Sequence, residues 1–155
     1  MGNSQLSHIL DTGEATMVDV SPKNVSRREA RAGGFVAMGV GTVRLIRENG
    51  MKKGDVLGVA RIAGILAAKR TDELIPLCHQ LPLAYVGVDF EVLDHGVVVL
   101  ASARTEAKTG VEMEALAAVS IACLTIYDMC KAVDKAMEIR DIRVLEKAKQ
   151  AIEVP

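Results

Sequence analysis

The sequence predicts an α+β domain in which an antiparallel sheet is covered on one face by helices. Two strand-like runs, 84–93 and 97–106, flank Asp94-His95-Gly96, the signature of a hairpin. The stretch 110–133, GVEMEALAAVSIACLTIYDMCKAV, is long enough for several helical turns, and residues 115–127 carry no charge. A helix apolar nearly all round must be buried. The runs follow in the order strand, helices, hairpin, helix, strand, the order of a split βαβ or ferredoxin-like sheet.

Residues 1–16 are polar, with Gly2, Asn3, Asp11, Thr12 and Gly13, and read as a flexible N-terminal arm. Residues 17–20, Met-Val-Asp-Val, read as a short strand stopped by Ser21-Pro22. Gly33-Gly34 disfavours a helix interior, so 28–38 reads as an extended strand. A helix over 41–48 is stopped by Asn49-Gly50. Asp55 is the N-cap of a second helix over 55–69. Its apolar positions Val56, Val59, Ile62, Ala63, Leu66 and Ala67 form an amphipathic stripe. Residues 71–74 add a turn of helix, and Pro76 and Pro82 enclose a loop containing Leu77, Cys78 and His79. In the hairpin, Val86, Val88, Phe90 and Val92 alternate with Gly87, Asp89 and Glu91, so one face is covered and the other wetter. After the long helix, a last strand covers about 138–146 with a less clean alternation. A single domain thus spans 17–147, followed by a loosely held tail over 148–155.

A chain of 155 residues, half of them hydrophobic, is long enough to bury a core. Nineteen basic against twenty acidic residues leave a net charge of −1, with no basic excess for nucleic acid. With no Trp, two Tyr and two Phe there is no stacking platform for single strands. Cys78, Cys123 and Cys130 are odd in number and two lie in the buried helix, which argues for reduced thiols in a cytoplasmic protein. No signal peptide and no uncharged run of about 18 residues is visible, so no membrane partner is expected.

The charged ends of the long helix are where chemistry could reside. Asp128 and Lys131 share a face three residues apart and alone would make a surface ion pair. Glu112 and Glu114 fall in the first turn, where the helix dipole favours negative charge. Glu114 and Asp128 are separated by 14 residues, roughly 21 Å along a helix axis. One small-molecule pocket cannot reach both. If both ends serve catalysis, two subunits contribute opposite ends, and the pockets lie at subunit interfaces.

Cys78-His79 is too few ligands for a metal site, and His8 and His95 sit elsewhere, so no metal is expected. His79 reads better as a hydrogen-bonding partner of a ligand, and Cys78 as packed. Lys69 at a helix end answers either the dipole or a ligand. Lys53 precedes Gly54-Asp55, a turn that can aim an ammonium into a cleft. If the bases Arg27, Arg28, Arg31, Lys52, Lys53, Lys69, Arg70, Lys131, Lys135 and Lys147 converge, they make a polyphosphate site. It is not a P-loop, because no Gly-x-x-x-x-Gly-Lys-Ser/Thr run exists.

MVDVS, KGDV, ARIAGILAAKRT, LIPLCH, TGVEMEAL and LTIYDMCKAVDK occur in that order. Together they closely resemble the molybdenum cofactor biosynthesis protein C family, the cyclic pyranopterin monophosphate synthases, over about residues 8–147. The resemblance implies a ferredoxin-like fold and a homohexamer, a trimer of dimers with active sites between subunits. It implies conversion of 3′,8-cyclo-7,8-dihydroguanosine 5′-triphosphate to cyclic pyranopterin monophosphate and diphosphate. It makes 17–147 the catalytic domain. Asp128, Lys131 and Lys53 match the family's catalytic residues. Leu77, Cys78 and His79 match one substrate-binding segment, and Met113 with Glu114 another. Asp19, Arg28, Lys69 and Lys147 are further implied contacts. No resident cofactor is implied, and whether magnesium accompanies the triphosphate is left open.

The residue types suit that chemistry. Proton transfers at nitrogen suit lysines whose pKa is lowered by neighbouring lysines. The departing diphosphate needs cations. Two departures stand out: Gln80 follows Cys-His where the family usually has Pro, and no glycine-rich tail follows Lys147, so any phosphate contact from such a tail is missing or falls to Lys147 or Lys149. The rival reading is a non-catalytic ferredoxin-like oligomer that binds a nucleotide at its subunit interface. A third is another lyase or hydrolase acting on a phosphorylated heterocycle. Binding alone does not require Lys53, Asp128 and Lys131 together.

Overall fold

The computed structural model describes residues 13–152. Within them the elements run β1 (Ser26–Ala37), α1 (Val40–Arg47), α2 (Val56–Lys69), α3 (Thr71–Leu74), β2 (Leu83–Leu93), β3 (Gly96–Ala107), α4 (Glu112–Cys130) and β4 (Glu138–Ala151). The four strands form one antiparallel sheet in the order β2-β3-β1-β4. Helices pack on it in an α+β, ferredoxin-like arrangement, as the sequence predicts.

The central strand β1 explains how the layers meet. Its helix-facing positions are small: Ala30 and Ala32 are buried, and Gly34 lies against α4. A Cβ at Gly34 would stand 2.8 Å from Val119 Cγ1 and 3.3 Å from Cys123 Sγ. The bare backbone therefore lets α4 lie directly on the sheet. The same device joins the helices, since a Cβ at Gly64 would stand 2.8 Å from the Ala118 carbonyl oxygen. Ala115, Ala118, Val119, Ala122, Cys123, Ile126 and Cys130 follow helical spacing and are all buried. By length and composition α4 is the one described helix able to cross a membrane. Its buried stripe instead packs against β1, β3 and α2, as a core helix does.

Three expectations are corrected. Residues 17–20 form no strand; their chain turns at Val20, whose carbonyl accepts from Lys23 N–H at 3.0 Å. Residues 148–151, read as a loose tail, are the end of β4, and Ala148 to Ala151 pair with Glu29 to Ser26. This was hidden because β4 is an edge strand, exposed over most of its length and rich in charge. Two register shifts, with Asp141 at φ 56, further break its alternation. On α2, the face that packs inward is Val56, Ala60, Gly64, Ala67 and Ala68. The larger Val59, Ile62 and Leu66 of the apolar stripe are exposed. Close approach to α4 selects small residues and leaves the large ones outside. The arm predicted over 1–16 lies outside the described residues as far as position 12.

Ile126 is the largest fully buried side chain, and Gly34 is a sheet position where a Cβ would crowd a side chain of α4. Ile126→Ala is expected to cost about 3 kcal/mol through the cavity it leaves. Gly34→Ala is expected to cost about 1–3 kcal/mol through overpacking. Urea unfolding midpoints check both, and unchanged midpoints would contradict this account of the core.

Candidate active site

Most of the candidate residues collect at the two ends of α4. At its C-terminal end, Asp128 sits between two ammonium groups. Its Oδ2 is 2.7 Å from Lys53 Nζ and its Oδ1 is 2.7 Å from Lys131 Nζ. Lys53 also donates to the Asp128 carbonyl oxygen at 3.0 Å. Lys131 arrives by helical spacing. Lys53 arrives on a turn in which Gly54 N–H donates to the Met51 carbonyl at 3.0 Å. Gly54 adopts φ 91, which a side chain would strain, and the Met51 side chain is buried beneath the turn.

The electrostatics of this trio differ from the sequence expectation. Hydrogen bonds from Lys131 and then Lys53 hold the Asp128 carboxyl down to about 2. The same contact raises the Lys131 ammonium above its ordinary value. Attraction to the intervening carboxylate outweighs repulsion between the lysines, so Lys131 is not a lysine of lowered pKa. At neutral pH, Lys131 is therefore charged and Asp128 ionised, and the two ammonium groups flank a carboxylate that holds its charge.

At the N-terminal end lies a cleft of about 310 Å³, lined by Leu77, Cys78, His79, Met113 and Glu114 among others. The loop between the prolines and the start of α4 thus meet, as the sequence reading requires. Segment 17–20 closes one side with Val18 and Val20. The Val18 carbonyl can only accept, so His79 Nε2 donates to it, at 2.8 Å. That fixes the ring and leaves Nδ1 as its acceptor in the neutral form.

Glu114 is only 4% exposed. Burial, with added repulsion from Glu112 and Asp72, pushes its carboxyl up to about 7. It can therefore carry a proton near neutrality, which the capping explanation does not foresee. Cys78 is raised by burial and by Glu114, so its thiol stays protonated and packed.

A smaller cleft of about 230 Å³ shares Gly110 and Glu112 with the first and adds Arg28, Lys147 and Lys149. Arg28 Nε donates to Ser26 Oγ at 2.7 Å, and Lys147 Nζ stands 3.8 Å from Glu112 Oε1. Arg28 faces Lys149 across the β1–β4 pairing, so the three cations gather where α4 begins.

Two sequence candidates lie apart. Asp19 is engaged locally, accepting from Ser21 N–H at 2.8 Å, and does not line the cleft. Lys69 lines a separate depression with Leu81, Leu83 and Tyr85. Lys149, which the sequence offers with Lys147 in place of the absent glycine-rich tail, lines the smaller cleft beside it. Lys23 and Thr109, which also line the large cleft, had no spacing signal to mark them. Among the described residues no three of His, Cys, Asp and Glu converge as a metal site.

A profile described as the MoaC family matches residues 17–150, which includes both ends of α4 and all of β1 to β3. The chain belongs to the MoaC family. It is 56% identical over 147 residues to the cyclic pyranopterin monophosphate synthase of Methylobacterium sp. (strain 4-46), covering 94% of this chain and 92% of that one. It is 57% identical over 145 residues to the protein of the same name from Chloroflexus aggregans, covering 92% and 88%. The protein of that name from Brucella ovis is 55% identical over 148 residues, covering 94% and 90%. The MoaC match reaches through the paired end of β4, so residues read as tail belong to the family's domain.

Glu114 sets a pH dependence of stability. Its folded value lies above the ordinary 4.5, so the folded protein binds this proton more tightly than the unfolded chain. Stability contributed by the neutral carboxyl is complete below pH 4.5 and falls as pH rises through about 7. Glu114→Gln is expected to match the parent near pH 4.5 and to exceed it in thermal midpoint above pH 7. Parallel midpoint curves for the two proteins across that range would refute the assignment.

Proposed function

We propose that this chain is a cyclic pyranopterin monophosphate synthase of molybdenum cofactor biosynthesis. It converts 3′,8-cyclo-7,8-dihydroguanosine 5′-triphosphate to cyclic pyranopterin monophosphate and releases diphosphate. The observation that carries this is the trio Lys53, Asp128 and Lys131, gathered at 2.7 Å from segments 75 residues apart, in a MoaC-family chain. The names of its relatives supply the activity, and the trio has the groups that activity needs.

In this reading the large cleft takes the heterocycle. Glu114 and His79 address its ring and amino nitrogens, while Leu77, Cys78 and Met113 give it apolar walls. Arg28 and Lys147 address the triphosphate, with Asp19 and Lys69 as further contacts outside both clefts of one subunit. Lys131 and Lys53 protonate ring nitrogens and stabilise the diphosphate as it leaves. Asp128 orients both. No resident cofactor takes part, and any magnesium arrives with the triphosphate as part of the substrate.

The separation of the two ends supports an oligomer. Glu114 and Asp128 are roughly 21 Å apart along α4, so each site takes the heterocycle cleft of one copy and the Lys53–Asp128–Lys131 trio of another. The exposed stripe Val59, Ile62 and Leu66 offers a surface for such association. A homohexamer built as a trimer of dimers satisfies this, in a cytoplasmic setting suited to the free thiols Cys78, Cys123 and Cys130.

Incubation with the cyclised dihydro-nucleotide triphosphate, followed by assay for diphosphate and pterin, tests the activity. Lys53→Ala and Lys131→Ala are each expected to lower turnover by about 10²-fold or more. Near-normal rates in folded variants would remove both lysines from the chemistry. Mixed after dissociation and reassembly, Lys131→Ala and Glu114→Ala subunits should recover up to about a quarter of parent activity, because half the random pairs hold one intact site. No recovery from a mixture shown to exchange subunits would place each site within one chain.

A further inference from the structure

Asp134 lies three residues beyond Lys131, in the turn between α4 and β4, and none of the chemistry above uses it. Its carboxylate is nevertheless saturated. Oδ2 accepts from Gly39 N–H at 2.8 Å and from Thr42 Oγ1 at 3.0 Å. Oδ1 accepts from Ala136 N–H at 3.0 Å. Gly39 is the N-cap of α1 and has no side chain with which to cap the helix, so the cap is supplied from 95 residues away. The hydrogen bond from Gly39 leads the causes that hold this carboxyl below its ordinary value, so it stays charged at the positive end of α1.

The helix it grips is a fixed reference. At one end Met38 N–H donates to the His95 carbonyl at 3.0 Å. At the other, Arg47 holds Asp94 Oδ1 and the Val92 carbonyl oxygen, each at 3.0 Å. Both contacts rivet α1 to the β2–β3 hairpin, and Thr42, Val43 and Ile46 are buried beneath it. The turn carrying Lys53 leaves from the C-terminal end of this same helix. Asp134 ties the end of α4, which carries Lys131, to the helix from whose C-terminal end the chain runs on to the Lys53 turn. The ion pairs of the trio cannot supply this alignment, because all three side chains are about half exposed and such pairs are weak.

We infer that Asp134 is a positioning residue that sets Lys131 and Lys53 in register around Asp128. The inference rests on the catalytic assignment of those lysines made above. A cap of purely structural purpose would lower stability and leave the lysines and the turnover number unchanged at temperatures well below unfolding.

The test compares Asp134→Ala and Asp134→Asn with the parent. Acylation rates of Lys131 and Lys53, read by mass spectrometry against Lys149 in the same chain, report positioning without any assay of function. In Asp134→Ala, Lys131 labelling is expected to rise by about threefold or more, with Lys53 following, as the turn opens. The turnover number is expected to fall by about tenfold or more with KM little changed. Asp134→Asn keeps an oxygen for Gly39 and Thr42 and should restore most of both readouts. Unchanged labelling in a folded Asp134→Ala overturns the inference, as does altered labelling with an unchanged turnover number. A parent protein with no turnover would sink the catalytic reading, and the labelling comparison would then decide the positioning role by itself. Should Asp134→Ala fail to fold, Thr42→Val removes one of the three bonds and carries the same comparison.

Discussion

The closeness of α4 to its neighbours governs both ends of the molecule. Gly34 lets the helix lie on β1, and Gly64 lets α2 lie on α4. Two methylene-sized gaps therefore fix the height and the rotation of a helix 19 residues long. Because its buried stripe is mostly alanine, cysteine and valine, the helix cannot slide without opening voids along its whole length. Residues at its ends inherit this rigidity. Catalytic precision of the order of half an ångström is easier to hold from a buried rod than from a loop. The cleft loops and the Lys53 turn then need only local anchors, such as the His79–Val18 and Gly54–Met51 hydrogen bonds.

The two ends have opposite electrostatic character although both are built from carboxylates. Asp128 is exposed and held by cations, so its proton is lost far below neutrality. Glu114 is buried beside Glu112 and within reach of Asp72, so it keeps its proton to about 7. Environments that push paired titratable groups apart divide acid and base roles between them. Here the pair lies on one helix, roughly 21 Å apart. If the group that titrates near neutrality and the group that stays ionised serve one reaction, two copies of the chain must bring them together.

The sequence was most legible where geometry follows from periodicity. The strands from β1 to β3, the helices and the Asp55 cap lie within three residues of their predicted limits, because each has a strong stop or a clear apolar period. Resemblance named Lys53 and Asp128 separately, and their 2.7 Å ion pair was not foreseen, since 75 residues separate them. What stayed hidden is what depends on neighbours. β4 is exposed at almost every position, so no covered face writes an alternation into its sequence, and its end read as tail. The direction of the Lys131 shift depends on a carboxylate lying between two lysines, and composition shows only the lysines. Asp134 carries no local signal, because a cap supplied across 95 residues looks in sequence like one more charged residue after a helix.

The outward placement of Val59, Ile62 and Leu66 follows from the same close packing. A helix that must approach another to the depth of Gly64 can place only small side chains on the facing side. Its larger apolar residues are then left on the opposite side, where one chain has nothing to cover them. Exposing three large aliphatic side chains in one helical row is costly unless another surface takes them up. The geometry that brings α2 onto α4 thus creates the apolar surface, and in the proposed shared site the distance between the ends of α4 is what calls for a second subunit. One packing constraint produces both, so association and shared sites are expected to stand or fall together.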